Sequence, residues 1–144
     1  MITITIMKGS VFMSVSKYSR QREAILSYLH STTCHPTADT VYTVVRQEYP
    51  NISLGTVYRN LNQLAAQGTI LRLTGMDGSD HYDGTVRPHY HFCCRDCKHI
   101  LDLEMDALDH ICTLAAAHFN GRIEGHFTTF HGICPECLKN RVDK

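Results

Sequence analysis

Apolar residues recur every three or four positions through the first third of the chain, and this spacing predicts three short helices. In SRQREAILSYLH, residues 19–30, Ile25, Leu26 and Leu29 share one face with charges opposite. Thr37 then stands where a helix cap belongs, ahead of an apolar face of Val41, Val44 and Val45 that must stop before Pro50. Ser53 caps a third helix, LGTVYRNLNQLAAQG, with Leu54, Val57, Leu61 and Leu64 inward and Gly68 as its stop signal. TILRLTGMDGSDHYDG follows and reads as two short strands around a turn at 75–78. Three helices and a hairpin is the order of a winged helix-turn-helix unit, whose third helix enters the major groove of DNA. Thr56, Tyr58, Arg59 and Asn62 face outward on that helix and suit phosphates and base edges. A three-helix protein-interaction unit with a polar face has the same order, so the pattern alone leaves both open.

The period changes to two after residue 85. HYHFCC and HILDLE alternate as strands, and DALDHICTLAAAHF is helical with Leu108, Ile111, Leu114 and Ala115 inward. RIEGHFTTFHGIC reads as a last strand. The expected fold class is α+β: a winged-helix DNA-binding domain over residues 17–84, a hinge at 85–88, and a small α/β domain over 89–144. Residues 1–16 are expected to be an N-terminal extension without a readable role.

Charge sharpens this division. The net charge is zero, yet residues 1–75 hold seven Lys or Arg against three acids, and the remainder holds seven against eleven. A basic half beside an acidic, ligand-rich half suits an anionic polymer partner and a cation site; an accidental split of surface charge is the bland alternative. The 43% hydrophobic content supports a packed core. Seven cysteines are an odd number, and neither an export signal nor a membrane-length apolar run is legible, so a reducing cytoplasm is expected. There, paired cysteines point to metal.

Cys94 and Cys97 flank two residues, as do Cys134 and Cys137, with 36 residues between the pairs. Two such turns bring four thiolates to a closed tetrahedral zinc, a structural site that supplements a small core. Cys93 is the less suited neighbour, and Cys34 and Cys112 are expected to be buried thiols. A zinc deaminase needs a histidine two residues before a glutamate, and none of the 10 histidines meets that requirement. No acid–base or nucleophile motif supports any other enzyme.

His89 and His91 stand two apart on a strand, so both imidazoles point to one face. With Asp83 and Asp102 nearby they suit Fe(II), Mn(II) or Zn(II); exposed strand histidines are the competing reading, and His81, His99, His110 and His118 are left there. His35, in CHPTAD, would tie both domains to one metal if it joined this set, but spacing does not show that it does.

HPTADTVYTVVRQEYPNISLGTVYRNLNQL, HYDG, HYHFCCRDC, ILDLE and GICPEC together resemble the ferric uptake regulator (Fur) superfamily over residues 17–139. The resemblance implies a homodimeric, metal-dependent repressor of double-stranded operator DNA. It implies structural Zn2+ on Cys94, Cys97, Cys134 and Cys137, and a regulatory Fe2+ or Mn2+ on His35, Asp83, His89, His91 and Asp102. It further implies DNA contacts from Lys17, Arg20, Ser53, Thr56, Tyr58, Arg59 and Asn62. The aspartates at 83 and 102, where iron sensors typically carry glutamates, are similar to the peroxide-sensing, PerR-like branch. In that branch peroxide is the signal, and iron-dependent oxidation would fall on His35 and His89. An iron- or zinc-availability sensor of the same superfamily is the alternative. An additional metal site of some iron sensors is not expected, since Pro88 and Tyr90 occupy ligand places and only Asp109 and His126 survive as remnants.

Overall fold

The structure, a computed structural model, describes residues 17–108 and 110–142. The expected N-terminal extension and Asp109 therefore lie outside the described residues. Three helices open the chain: α1 (Lys17–His30), α2 (Ala38–Glu48) and α3 (Leu54–Ala66). Both expected caps are present. The Thr37 hydroxyl accepts the N–H of Thr40, and the Ser53 hydroxyl accepts the N–H of Thr56 at 3.1 Å. Gly68 ends α3 in the left-handed region at φ 70°, with the Thr69 N–H returning to the Leu64 carbonyl at 3.0 Å.

Strands β1 (Leu71–Thr74) and β2 (Asp80–Asp83) pair antiparallel as the expected hairpin, with Leu71 opposite Asp83 and Leu73 opposite His81. The hairpin packs on the helices through Tyr82, which is 1% exposed, and a single core joins it to Ile25, Leu29, Val41, Val45, Val57, Leu61, Leu64 and Ile70. The helical faces read from the sequence thus meet one another. Arg22 adds a polar tie: its Nε–H donates to Asn60 Oδ1 at 3.0 Å, and its other nitrogen reaches Gln63, joining α1 to α3.

Gly84 shows why HYDG ends in glycine. A Cβ there would lie 2.7 Å from His30 Cδ2 and 2.9 Å from the Leu29 carbonyl. Backbone cannot move as a side-chain tip can, so Gly84→Ala is expected to destabilise the protein by about 1–3 kcal/mol, the usual range for overpacking. Urea unfolding of the zinc-loaded protein checks this, with Gly125→Ala, whose added Cβ meets nothing within 4 Å, as the comparison.

The second half is a three-stranded sheet in the order β4-β3-β5, built from β3 (Tyr90–Cys94), β4 (Ile100–Leu103) and β5 (Thr129–Gly132). Helix α4 (His110–Ala116) connects β4 to β5, and α5 (Pro135–Val142) follows. Strands β3 and β4 run antiparallel with His91 opposite Asp102, while β3 and β5 run parallel with Cys94 opposite Gly132.

Several expectations change here. The last strand is only four residues long, and residues 121–128 form no regular element. Helix α5 was not expected, because PECLKNRV carries no apolar stripe. The expected inward face of α4 is not covered: none of its residues is buried, and Leu114 is 63% exposed. Leu108 and Ile111 are half-buried and Ala115 is exposed. Phe119, Phe127, Phe130 and Leu138 are also exposed, so this half presents an apolar surface that the described residues of one copy do not cover. Cys34 is exposed rather than buried because it follows the end of α1 in a surface loop, and Cys112 is half-buried beside His126. His81 is buried rather than an exposed strand histidine, since β2 packs against the start of α2.

Candidate metal centres

The parallel β3–β5 register explains the meeting of the two cysteine pairs. With Cys94 opposite Gly132, two further residues bring Cys134 beside Cys94, where the Cys134 N–H donates to Cys94 Sγ at 3.3 Å. The Arg95 N–H donates to the Gly132 carbonyl at 2.8 Å and closes the gap. Residues 94–98 turn tightly through Lys98 at φ 65°, aiming Cys97 back so that its Sγ lies 3.8 Å from Cys134 Sγ. Cys137 sits on the first turn of α5, just after β5 ends at Gly132. All four sulfurs lie within 4.8 Å of one another, and no disulfide joins them. Backbone N–H groups, that of Cys97 first, hold the Cys94 thiol down at about 6, whereas contact with Cys134 pushes Cys137 up to about 12. Thiols this close cannot all ionise alone. A cation removes that conflict, and four sulfurs at this spacing suit zinc.

The second cluster draws on four elements. His35 comes from the loop between α1 and α2, Asp83 from the end of β2, His89 from just before β3 and His91 from within it, and Asp102 from β4. Their donor atoms also lie within 4.8 Å of one another. Asp83 Oδ2 is 3.0 Å from His89 Nε2 and 3.3 Å from His91 Nε2; Asp102 Oδ1 is 2.9 Å from His35 Nε2 and 3.2 Å from His89 Nε2. The two carboxylates differ in setting, for the Asp83 side chain is 5% exposed and that of Asp102 34%. Asp83 forms the floor and Asp102 the solvent side.

Backbone groups prepare this cluster for a cation. The Nδ1 atoms of His35 and His89 each lie 2.7 Å from a carbonyl, those of Thr33 and Arg87. A carbonyl only accepts, so Nδ1 carries the proton and Nε2 turns a lone pair inward. Both Nε2 atoms are buried without a hydrogen-bond partner, although carboxylate oxygens stand close by. Asp83 Oδ1 accepts the Thr85 N–H at 2.7 Å, which points Oδ2 into the cluster. Burial opposes charge on His35, but the Asp83 and Asp102 carboxylates outweigh it and raise its pKa above the ordinary histidine value. Burial would likewise raise Asp83, yet His35, His91 and the Thr85 N–H hold it well below the usual carboxylate range. Two inward lone pairs, with His91 Nε2 beside them at 3.3 Å from Asp83 Oδ2, facing two carboxylates are a poor arrangement alone and a good one around a divalent cation. The Thr33, Arg87 and Thr85 backbone contributions carry no side-chain signature and were not legible in the sequence.

The residues expected at DNA lie mainly on α3. Arg59 and Asn62 are exposed and Tyr58 is 40% exposed, while Thr56 is half-buried with its hydroxyl 2.9 Å from that of Ser53. Ser53 and Thr56 thus serve first as the cap of α3. Arg20 on α1 is exposed; the Lys17 side chain lies outside the described residues. Asn60, missed from the sequence, is buried and braces α3 through Arg22 and the Thr56 carbonyl. His126 faces Tyr90 and Cys112 rather than either cluster.

The chain is similar to known proteins over most of its length. A family model described as the ferric uptake regulator family matches residues 14–137. The chain is 38% identical over 119 residues to the peroxide operon regulator of Bacillus subtilis, spanning 83% of this chain and 82% of that protein. It is 38% identical over 117 residues to the peroxide-responsive repressor PerR of Staphylococcus aureus (strain USA300), spanning 81% and 79%. Among solved structures, the Campylobacter jejuni peroxide stress regulator superposes with a TM-score of 0.73 at 29% identity, covering 84% of this chain and 91% of that one. The Helicobacter pylori ferric uptake regulator shares the fold with a TM-score of 0.74 at 24% identity, covering 88% and 87%. The chain belongs to the ferric uptake regulator family.

Proposed function

We propose that this protein is a dimeric, metal-dependent repressor that binds operator DNA and releases it when peroxide oxidises a ligand histidine. The observation that carries the reading is the five-donor cluster of His35, Asp83, His89, His91 and Asp102, with aspartate as both carboxylates and one of them at the solvent side. Relatives described as peroxide regulators support it.

In this reading residues 17–84 form a winged-helix domain. Helix α3 enters the major groove with Tyr58, Arg59 and Asn62, Arg20 and Lys17 approach phosphates, and the β1–β2 hairpin lies along the backbone. Residues 85–88 are the hinge, and residues 89–144 form the dimerisation domain. The exposed Leu114, Phe119, Phe127 and Phe130 are the surface a second copy would cover. Cys94, Cys97, Cys134 and Cys137 hold structural zinc, which gives the small second half the cross-link its few buried residues do not supply.

The second cluster holds Fe(II) or Mn(II) and unites residues from both halves, so its occupancy biases how they are oriented. Bound Fe(II) supplies the electron that peroxide cleavage needs, and Mn(II) does not. Carbonyls of Thr33 and Arg87 fix His35 and His89 with Nε2 inward, and these two imidazoles are the ones the family resemblance marks for oxidation. Oxidation of either ring removes a donor, weakens the metal and releases the fixed orientation. The outcome is a repressor that reports peroxide rather than metal supply.

The test loads zinc-containing protein with Fe(II) or Mn(II), adds a few equivalents of peroxide, and follows operator binding and peptide mass together. Expected is loss of DNA binding with iron alone, accompanied by one added oxygen on the His35 or His89 peptide. Retained binding with unmodified histidines, and release only on metal removal, would instead make it a metal-availability sensor.

A further inference from the structure

His81 is a buried histidine that the proposed cycle does not use, and its ring is held at both nitrogens. Its Nδ1 lies 2.7 Å from the His35 carbonyl, which only accepts, so Nδ1–H donates. Its Nε2 lies 3.0 Å from Ser79 Oγ, and the Ser79 N–H in turn donates to Asp77 at 3.0 Å. The ring therefore has one orientation. His35 has the complementary need. Its φ is 48°, a left-handed backbone that is uncommon for a residue with a side chain, and His35 is only 2% exposed. A strained conformation persists where its surroundings hold it. Pro36 and Thr37 continue the same seam, for the Tyr82 N–H donates to the Pro36 carbonyl at 3.0 Å and Thr37 bridges to His81.

We propose that His81 is a positioning residue for the His35, Asp83, His89, His91 and Asp102 site, holding the His35 backbone so that its Nε2 meets the other four donors. This rests on reading that cluster as a metal site. The contact acts through the carbonyl of a ligand residue rather than through its ring. It complements the Thr33 carbonyl, which sets the ring's tautomer. His81 also lies on the hairpin strand, so one chain of contacts runs from the Asp77–Ser79 turn through His81 to His35. Metal binding that tightens His35 tightens the hairpin by the same contact, and losing either end loosens the other. The imidazole makes this contact to the His35 carbonyl itself, beside the backbone contacts of Tyr82 with Pro36 and of residue 81 with Thr37.

The experiment titrates Mn(II) into the zinc-loaded full chain and reads free Mn(II) by electron paramagnetic resonance. The parent, His89→Ala, His81→Ala, His81→Asn and Ser79→Ala are compared, with zinc content and thermal unfolding measured before Mn(II) is added. His81→Ala is expected to weaken Mn(II) by about 10–100-fold, the range for lost outer-shell partners of metal ligands, with zinc unchanged. His81→Asn, whose amide nitrogen is attached at Cγ as Nδ1 is and can donate to the same carbonyl, is expected to recover part of the loss, and Ser79→Ala to show a smaller one. A rescue by asparagine is not produced by general loosening of the hairpin. Parent-like Mn(II) binding in His81→Ala, or no recovery in His81→Asn, overturns the proposal while the metal site stands. A parent that binds Mn(II) no better than His89→Ala removes the metal-site reading itself, and the role of His81 with it.

Discussion

Cys94→Ser is expected to leave the protein without stoichiometric zinc and without a folded second half. Cys94 is completely buried, accepts the Cys134 N–H, and stands where β3 ends against β5. Among the described residues little else holds that region together: the buried apolar ones are Tyr90, Cys93, Cys94, Ile100 and Cys134, and two of these five are themselves in the sulfur cluster. Structural zinc in small domains supplies about 10–16 kcal/mol of binding free energy, more than such a core can replace. Serine keeps the size but is a far weaker ligand at neutral pH. Metal analysis with circular dichroism and urea unfolding checks this, and Cys93→Ser, which removes a buried sulfur outside the cluster, is expected to retain zinc. A zinc-free Cys94→Ser protein that unfolds with the parent's midpoint would take the structural role away.

Asp102→Glu is expected to keep Mn(II)-dependent operator binding and to blunt the response to peroxide by about tenfold or more, about 1.4 kcal/mol in the barrier. Asp102 is the carboxylate on the open side, 2.9 Å from His35 Nε2 and 3.2 Å from His89 Nε2. An added methylene lets the carboxylate reach further over the face from which a small oxidant arrives. The donor count is unchanged, so metal-dependent DNA binding survives. The oxidant, however, meets a more covered site. Parallel operator-binding curves against peroxide dose, for iron-loaded parent and variant, decide the matter. An unchanged dose response would remove the aspartate at 102 from the basis of peroxide sensing.

How far the chain could be read depended on whether the information was local. Helices α1 to α3 were legible because Ile25, Val41, Val57 and their neighbours follow the helical period, and Thr37 and Ser53 mark the starts. Helix α5 was not, because its one turn of function, the Cys134–Cys137 pair, masks a polar helix with no apolar stripe. The inward face expected for α4 failed for a related reason: periodicity says which side is apolar, not whether one chain covers it. Burial of Cys34 and His81 was misjudged because burial is decided by what packs above a residue, and nothing adjacent in sequence records it.

The two donor clusters divide along the same line. Cysteines two residues apart form a local turn, so the four-sulfur set could be read from spacing, with only the parallel register of β3 and β5 left for the fold to supply. His89 and His91 were likewise legible from strand alternation. That His35 joins them was not, because residues 35, 83, 89 and 102 meet only when a loop, a hairpin end and two strands converge. The same convergence sets the details no spacing contains: a buried Asp83 against an open Asp102, carbonyls that choose the tautomers of His35 and His89, and a left-handed His35 whose carbonyl meets His81 Nδ1. Ligand identity is a property of side chains and is written in the chain. Ligand geometry is a property of backbones brought together from distant positions, and only the packed structure decides it.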